Sequence, residues 1–169
     1  MSKIRKRPRV HKTKMVKSLQ HPVKMLGKSK RALRTQFAAL CYRVRDGKVD
    51  VLIISSRKSG RWIIPKGWPM DDMTPTDAAA TEAYQEAGVT GKAYDVCLGG
   101  YSYSKTVDTS RILPVMVMVY PIKVKRLLTD YPERMDRKRK WVSLKKAAAK
   151  LTDPELATLV LRFDPKQIQ

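Results

Sequence analysis

The spacing of hydrophobic and polar positions changes along the chain, and it first predicts a β-hairpin. Apolar residues dominate 37–44 ("FAALCYRV"), and 49–57 ("VDVLIISSR") alternates between polar and apolar positions before becoming fully apolar. Asp46 and Gly47 lie between these runs, and Asp-Gly favours a two-residue hairpin turn. We therefore expect two antiparallel strands, followed by a second turn and a short strand within 58–65 ("KSGRWIIP").

The next segment predicts a helix over 75–87. Thr74 offers an N-cap hydroxyl, Pro75 suits the first helical position, and Asp77 stands at the capping-box position. Gly88 suits the left-handed residue that commonly follows a helix. The helix is therefore bounded at both ends by local sequence.

Two longer apolar segments downstream predict further strands, at 92–105 and 111–122. Pro114 cannot donate a backbone hydrogen bond, so the first half of the second strand should be an edge or a bulge. Residues 137–144 ("RKRKWVSL") begin basic and end with the composition of a strand.

The C-terminal part predicts two helices. Ser143 should cap one over 144–150, and Asp153 followed by Pro154 should cap another that runs to about residue 162. The order of strands, helix, strands and C-terminal helix indicates an α+β sandwich and not a regular βαβ winding.

The charge divides the chain into two regions. There are 36 Lys and Arg against 15 Asp and Glu, a net charge of +21. Residues 1–35 hold 13 of the basic residues and no acid, whereas the rest has a net charge of +8. We predict a basic N-terminal arm at 1–33, with a short helix near 13–20, and one domain at 34–169. The arm is either a solvated tail or a contact for a polyanion such as RNA.

Other residue types narrow the function. Cys41 and Cys97 lie in apolar runs, which predicts buried free thiols in a reducing, cytoplasmic setting. No stretch reaches the about 18 apolar residues of a membrane span, and the N-terminus lacks the apolar core of a secretory signal. Both histidines, His11 and His21, lie in the arm, so the domain offers no histidine metal cluster or Ser-His-Asp triad. It also lacks a GxxxxGK[ST] loop for ATP.

Two acids mark a candidate site on the predicted helix. Glu82 and Glu86 are spaced i, i+4 and share one helix face, with Gln85 beside them. The small residues fall largely on the other side, where they allow close packing on a sheet: Ala79, Ala80, Ala83 and Ala87. Paired carboxylates suit Mg²⁺, which binds carboxylate oxygens together with substrate phosphate. An ordinary solvated helix edge is the alternative interpretation of two acids alone.

The surrounding residues resemble a known family. Gly67, Glu82, Glu86, Gly88 and Val89 fit the Nudix box, G-x5-E-x7-R-E-U-x-E-E-x-G-U, in register. The blocks "LCYRV…VLIISSRKSGRWIIPKG", "EAYQEAGVTG" and "DRKRKWVSLKKAAAKL" are similar to those of the diphosphoinositol polyphosphate phosphohydrolase subfamily. The resemblance covers about 34–163 and leaves out the basic arm.

The resemblance implies an α/β/α sandwich with a mixed sheet, a catalytic loop-helix-loop and a C-terminal helix. It implies hydrolysis of a diphosphate linkage with Mg²⁺, or Mn²⁺ in its place. Glu86 is then the principal metal ligand and Glu82 a second ligand or proton acceptor. Gln85 offers a neutral oxygen, and a backbone carbonyl of Lys66 or Gly67 completes the protein ligands.

Three box positions depart from the family pattern. Met73 replaces the first Glu, Thr81 the Arg, and Gln85 the first Glu of the final pair. These changes predict weaker metal binding and a slower or more metal-demanding enzyme. Asp71 and Asp72 are close enough in sequence to compensate for Met73.

Basic residues on loops and strand ends are the candidate contacts for a densely phosphorylated substrate: Arg34, Arg57, Arg61, Lys66, Lys105, Arg111, Arg137, Lys138 and Arg139. Trp62, Trp68 and Trp141 offer stacking surfaces for a base, although core packing suits Trp62 and Trp141 better. Asp108 and Glu133 are further acids in later loops.

Three functions stay open at this point. The first is a pyrophosphohydrolase for a diphosphoinositol polyphosphate or a diadenosine polyphosphate, with inorganic polyphosphate and capped RNA as other diphosphates. The second is a catalytically weak domain that binds a phosphorylated ligand. The third is an RNA-associated protein that binds through its arm. The oligomeric state is open as well.

Overall fold

The computed structural model describes residues 34–168, so the predicted basic arm and its short helix lie outside the described part. The strands are β1 Arg34–Arg45, β2 Lys48–Ser55, β3 Trp62–Ile63, β4 Lys66–Gly67, β5 Val89–Ala93, β6 Gly99–Thr106, β7 Ile112–Leu127 and β8 Arg139–Ser143. The helices are α1 Pro75–Ala87, α2 Leu144–Lys150 and α3 Pro154–Leu161, and a 3-10 helix follows at Pro165–Ile168.

One mixed sheet organises the described chain. Its main order is β3-β2-β1-β7-β5, with β4 on β1, β6 on β7 and β8 on β2. β1 and β7 are parallel, whereas the other pairings are antiparallel. The predicted hairpin between β1 and β2 is confirmed, because Asp46 and Gly47 have φ angles of 49° and 72°, as a primed turn requires.

Helices cover both faces of the sheet. The buried face of α1 is built mainly of alanines, which pack with Phe37, Leu52, Ile54 and Ile122 on one side. On the other side, Leu156, Val160 and Phe163 follow α2 and pack on the opposite face of the sheet. The α+β sandwich is therefore confirmed. No helix within 34–168 has the length and apolar character needed to cross a bilayer.

The prediction of one strand over 92–105 is wrong, because this segment forms the end of β5 and most of β6. Both strands pair with the same edge of β7. Tyr94 N donates to Pro121 O at 3.1 Å and Leu98 N to Val119 O at 2.8 Å, so the chain bulges outward between them.

The bulge positions α1 and exposes a thiol. Asp95 accepts a hydrogen bond from Thr76 Oγ1 at 2.8 Å, which ties the bulge to the first turn of α1. Cys97 lies in the bulge and is exposed, contrary to the prediction, whereas Cys41 is buried in β1 as predicted. An apolar composition did not distinguish a strand from the connection beside it.

The helix limits follow the sequence closely. Thr74 Oγ1 accepts from Asp77 N at 3.1 Å, and Gly88 has a φ of 64°. Ser143 Oγ likewise accepts from Lys146 N at 3.4 Å at the start of α2. α3 begins at Pro154 as predicted, but Asp153 makes no side-chain capping hydrogen bond there.

Pro114 occupies the edge that its missing N–H predicts. It pairs with Ser104 of β6, while pairing of β7 with β1 begins one residue later, at Val115. The imide nitrogen therefore leaves no ladder bond unmade on the β1 side.

Candidate active site

The acidic face of α1 meets the short strand β4. Lys66 and Gly67 pair with Ala38 and Phe37 of β1, which fixes their backbone in the sheet. Lys66 N donates to Glu86 Oε2 at 3.1 Å. Strand β4 and the last turn of α1 are thereby joined at Glu86, a residue that is only 6% exposed.

Gly67 is a glycine because Glu82 leaves no room for a side chain. A Cβ atom added to Gly67 would lie 1.9 Å from Glu82 Oε1 and 2.1 Å from its carboxyl carbon. The carboxylate of Glu82 therefore lies directly against the backbone of β4. Gly67, Glu82 and Glu86, which the box places far apart in sequence, form one cluster.

Burial controls the protonation of both carboxylates. Desolvation raises the pKa of Glu86 to about 7, and the nearby Arg137 guanidinium opposes this increase. The pKa of Glu82 is also raised, first by burial and then by the charge of Glu133. Added positive charge would stabilise the ionised form of both groups.

The residues present fit a hard divalent cation. Glu82 and Glu86 supply carboxylate oxygens from one helix face, and Gly67 leaves an open backbone beside them. Within 34–168, no group of three or more His, Cys, Asp or Glu converges as a complete metal centre. An ion here would take its remaining ligands from backbone, water or substrate oxygens, as Mg²⁺ commonly does.

Arg137, predicted as a substrate contact, lies inside the carboxylate cluster. Its side chain is 6% exposed, and Nη2 donates to Glu86 Oε1. Its Nε donates to Glu133 Oε2 at 2.6 Å and its Nη1 to the backbone oxygen of Ser55 at 3.1 Å. Glu133, one of two later-loop acids considered from the sequence, is therefore part of the site.

Asp108, the other later-loop acid, lies elsewhere. It accepts from Arg111 Nε at 2.5 Å in the hairpin between β6 and β7, and both side chains are exposed. Sequence position did not separate Glu133 from Asp108. The separating feature is that Glu133 N donates to Gln85 O at 3.0 Å, a contact that only the fold creates.

A basic and aromatic surface adjoins the carboxylates. Lys66 Nζ lies 5.3 Å from the ring centroid of Tyr103, and Lys105 Nζ lies 4.8 Å from that of Trp68. Burial lowers the pKa of Lys66, while Glu86 acts in the opposite direction. Tyr103 was missed from the sequence, since a tyrosine in a strand carries no sign of function.

The remaining predicted cations occupy varied positions. Arg57 Nη1 lies 3.7 Å from Glu133 Oε1, so Arg57 joins the edge of the cluster. Arg61 Nε donates to Ser59 Oγ at 3.0 Å on an exposed turn. Arg34 and Lys138 are exposed, at the start of β1 and just before β8. The substrate contacts of these residues stay predictions.

Arg139 supports the end of α1. Its Nη1 donates to Ala87 O at 2.6 Å and its Nη2 to Leu128 O at 2.7 Å. The guanidinium carbon lies 4.7 Å from the ring centroid of Tyr131. The first contact stabilises a carbonyl that the end of α1 leaves unpaired, and the second joins α1 to the segment after β7, a structural role in addition to the predicted one.

Two of the box departures are neighbours in space. Thr81 Oγ1 lies 3.7 Å from Met73 Sδ and also donates to Asp77 O at 2.9 Å. The acidic and basic positions of the box are thus replaced by a neutral pair in mutual contact. Asp72 has a φ of 60° in the turn before α1, and its predicted compensation for Met73 stays a prediction.

Comparisons with known proteins identify the same family as the box residues do. A family model described as NUDIX domain matches residues 34–163. Nudix hydrolase 12, mitochondrial, of Arabidopsis thaliana is 36% identical over 103 residues, which cover 59% of this chain and 51% of that protein. Diphosphoinositol polyphosphate phosphohydrolase 3-alpha of Homo sapiens is 33% identical over 112 residues, which cover 65% of this chain and 64% of that protein.

The chain spans at least half, but less than two thirds, of the length of such curated relatives. Among solved structures, a C. elegans Ap4A hydrolase has a TM-score of 0.56 at 17% identity, covering 76% of this chain and 94% of that one. A NUDIX hydrolase from Nitrosomonas europaea has a TM-score of 0.60 at 17% identity, covering 81% and 96%. These structural likenesses show the fold. Because the family model covers most of the chain and its box residues Gly67, Glu82 and Glu86 meet in one cluster, the chain belongs to the NUDIX domain family.

Proposed function

We propose that this protein is a divalent-metal-dependent pyrophosphohydrolase that cleaves a diphosphate linkage in a highly phosphorylated substrate. The observation that carries the proposal is the placement of Glu82 and Glu86 against Gly67 and the Lys66 N–H. Family membership supports the reaction class. The named activities of the relatives, which act on diphosphoinositol polyphosphates or Ap4A, suggest the kinds of substrate to test.

Glu86 and Glu82 would hold the ion, Mg²⁺ or Mn²⁺, with a backbone carbonyl of Lys66 or Gly67. Gln85 would add only a neutral oxygen. Such an ion supplies positive charge that polarises phosphate oxygens and acidifies water. The Lys66 N–H orients Glu86 by occupying one of its oxygens. Glu82 is half-buried with a raised pKa, which suits it to accept a proton from attacking water.

The adjoining cations favour a substrate with several phosphates. Burial is the main cause of the lowered pKa of Lys66, and the charges of Arg137 and Lys105 lower it further. An anionic substrate would relieve this repulsion and would gain charge-assisted hydrogen bonds. The exposed ring of Trp68, which Lys105 already contacts, offers a stacking surface for an adenine base. This surface suits a diadenosine polyphosphate, whereas the cations alone suit a diphosphoinositol polyphosphate equally well.

The test is phosphate release from a diphosphoinositol polyphosphate and from diadenosine hexaphosphate, with Mg²⁺ and with Mn²⁺. Glu86→Gln should abolish turnover. Glu155→Gln is the matched control, because Glu155 lies on α3 and accepts hydrogen bonds from Ser102 outside the cluster. Equal turnover by the Glu86→Gln and unmodified proteins would contradict the proposed site, and the ratio of the two rates would identify the substrate class.

A second function has its own support. Arg137 already neutralises Glu86, and Gln85 removes a charge from the box. Both features favour a domain that binds a phosphorylated ligand with little turnover. Ligand binding by folded protein that releases no phosphate in millimolar metal would favour this second function.

A further inference from the structure

The segment before β8 is fixed against α1 and β2 by its backbone. Glu133 N donates to Gln85 O at 3.0 Å, and Lys138 N donates to Ser55 Oγ at 2.8 Å. Ser55 N also donates to Lys138 O at 2.9 Å. The side chains carried between these anchors, including Arg137, are therefore held at the carboxylate cluster by both ends of the segment.

The guanidinium of Arg137 has three separate acceptors. Nη2 donates to Glu86, Nε to Glu133 and Nη1 to the backbone oxygen of Ser55. The side chains of Arg137 and Glu86 are 6% and 8% exposed, so solvent screens their interaction weakly. Arg137 supplies the compensating charge that a buried carboxylate requires.

Both oxygens of Glu86 have a donor. The Lys66 N–H on Oε2 belongs to a strand paired with β1, so it is rigid. The Arg137 Nη2 on Oε1 belongs to a side chain, so this second hydrogen bond can break without disturbing the sheet. A divalent cation and a guanidinium on one carboxylate would repel each other strongly in this buried setting. The hydrogen bond between Nη2 and Glu86 must therefore break for a cation to occupy this carboxylate.

This hydrogen bond can break by rotation of the Glu86 carboxyl group, without movement of the guanidinium. The Nε and Nη1 contacts to Glu133 and Ser55 are independent of Glu86 and can persist. Nη2 would then be an unpaired donor beside Glu86, next to any phosphate oxygen bound there. A planar guanidinium is suited to this exchange, since it keeps two donors engaged while offering a third.

We propose that Arg137 is a positioning residue that occupies Glu86 in the metal-free protein and passes its Nη2 donor to a phosphate oxygen when Glu86 takes a divalent cation. Glu133 and the Ser55 carbonyl hold the guanidinium through both states. This inference rests on the proposed function only for the metal site at Glu86. Cation binding and phosphate binding are then positively coupled, because the cation frees Nη2 for phosphate and phosphate binding to Nη2 frees Glu86 for the cation.

The test is Mn²⁺ binding by the metal-free 169-residue chain, measured from the electron paramagnetic resonance signal of free Mn²⁺. Arg137→Gln should bind Mn²⁺ about tenfold more tightly than the unmodified protein, because no cation then competes for Glu86. Arg57→Gln is the matched control, since Arg57 also pairs with Glu133 but is exposed and does not contact Glu86. Equal tightening by both variants would reflect net charge alone and would overturn the proposal, as would unchanged or weaker binding by folded Arg137→Gln.

A second measurement covers the case in which Arg137→Gln fails to fold. Nuclear magnetic resonance of ¹⁵N-arginine-labelled protein reports the guanidinium groups, with Arg137 assigned from Arg137→Lys. On titration with Mg²⁺, the Nε–H should stay protected from solvent exchange while the Nη2 hydrogens lose protection. Protection of both at saturating Mg²⁺ would overturn the proposal. Neither measurement depends on turnover. A protein without activity that gives the expected Mn²⁺ result would therefore contradict the proposed hydrolase function but support the role of Arg137.

Discussion

The carboxylate of Glu82 occupies the space that a side chain on residue 67 would need. The added Cβ of residue 67 would lie 1.9 Å from Glu82 Oε1, and the nearest three atoms all belong to Glu82. Real Cβ atoms do not approach oxygen so closely, so one partner must move. Because the obstructing atoms are at the far end of a flexible side chain, Glu82 would move and β4 would stay.

Gly67→Ala should therefore reduce activity much more than stability. Under the proposed function Glu82 holds the metal, and disturbing the surroundings that orient a metal ligand typically reduces activity by about tenfold to hundredfold. The free energy of unfolding should change by less than about 1 kcal/mol, since the strand needs no special backbone angle here. Phosphate release and urea denaturation measure the two effects separately.

Gly47→Ala is the opposite control. Gly47 has a φ of 72° in the β1–β2 turn and no atom within 4 Å of an added Cβ. Alanine in this left-handed conformation should cost about 1–2 kcal/mol of stability and leave turnover of the folded protein unchanged. A Gly67→Ala protein that loses stability and activity in proportion would show that its defect is ordinary unfolding.

Restoring the missing box charge should strengthen metal binding. Gln85→Glu adds a third carboxylate beside Glu82 and Glu86, and affinity for hard cations rises with ligand charge, here by about threefold to tenfold. Without metal the new charge should lower stability by a few tenths of a kcal/mol through repulsion. Calorimetric titration with Mg²⁺ measures the gain in affinity, and thermal melts with and without the ion measure the loss of stability in the metal-free protein.

Gln167→Glu serves as its control, because Gln167 is exposed in the C-terminal 3-10 helix. That variant changes net charge by the same amount outside the cluster. If the two variants bind Mg²⁺ with equal affinity, residue 85 is not a ligand position.

Local sequence was sufficient for the elements whose limits are set by neighbouring residues. Thr74, Pro75 and Gly88 bound α1 because capping depends on residues a few positions away. Asp46-Gly47 defines the first hairpin for the same reason. The cluster of Gly67, Glu82 and Glu86 was predictable only because the motif records a spacing that the family fold brings together.

The predictions from sequence fail where contacts between distant parts of the chain determine the structure. The break at 94–98 depends on one long strand, β7, which accepts hydrogen bonds from both sides of the bulge. The contact between Glu133 N and Gln85 O joins residues that no local pattern relates. Asp153 has the composition of a helix cap, yet its side chain makes no capping hydrogen bond. Its surroundings come from distant parts of the chain: burial raises its pKa, and the charges of Lys66 and then Arg61 lower it.

The contact between Met73 and Thr81 predicts coupling between these two box positions. Met73→Glu and Thr81→Arg together should form an ion pair at the site of the present 3.7 Å contact. Met73 is 40% exposed, so the coupling energy should be only about 0.3–1 kcal/mol. Urea denaturation of both single variants and the double variant gives this energy as a double-mutant cycle.

Salt distinguishes an ion pair from other coupling. The coupling energy should fall as ionic strength rises, because exposed charges are screened. Additive effects of the two substitutions on the free energy of unfolding would mean that the two new side chains do not meet. The Met73–Thr81 contact would then not occupy the place of a Glu–Arg ion pair.

The raised pKa of Glu86 predicts the pH dependence of metal binding. Burial raises this pKa from 4.5 to about 7, so the metal-free carboxyl is largely protonated below neutrality. Metal ligation requires the carboxylate, so each bound ion must displace that proton. Mn²⁺ affinity should therefore rise by up to about tenfold per pH unit below pH 7 and level off above it.

The stability of the metal-free protein should show the opposite trend. A carboxyl whose folded pKa lies above its unfolded value stabilises the fold when protonated; that contribution is complete below 4.5 and is lost as pH rises through about 7. Saturating Mg²⁺ should offset the loss, because the ion binds the folded carboxylate. Thermal melts across this range, with Glu86→Gln as the comparison, measure the effect. If melting of the metal-free protein and of Glu86→Gln varies identically with pH, Glu86 does not titrate in this range.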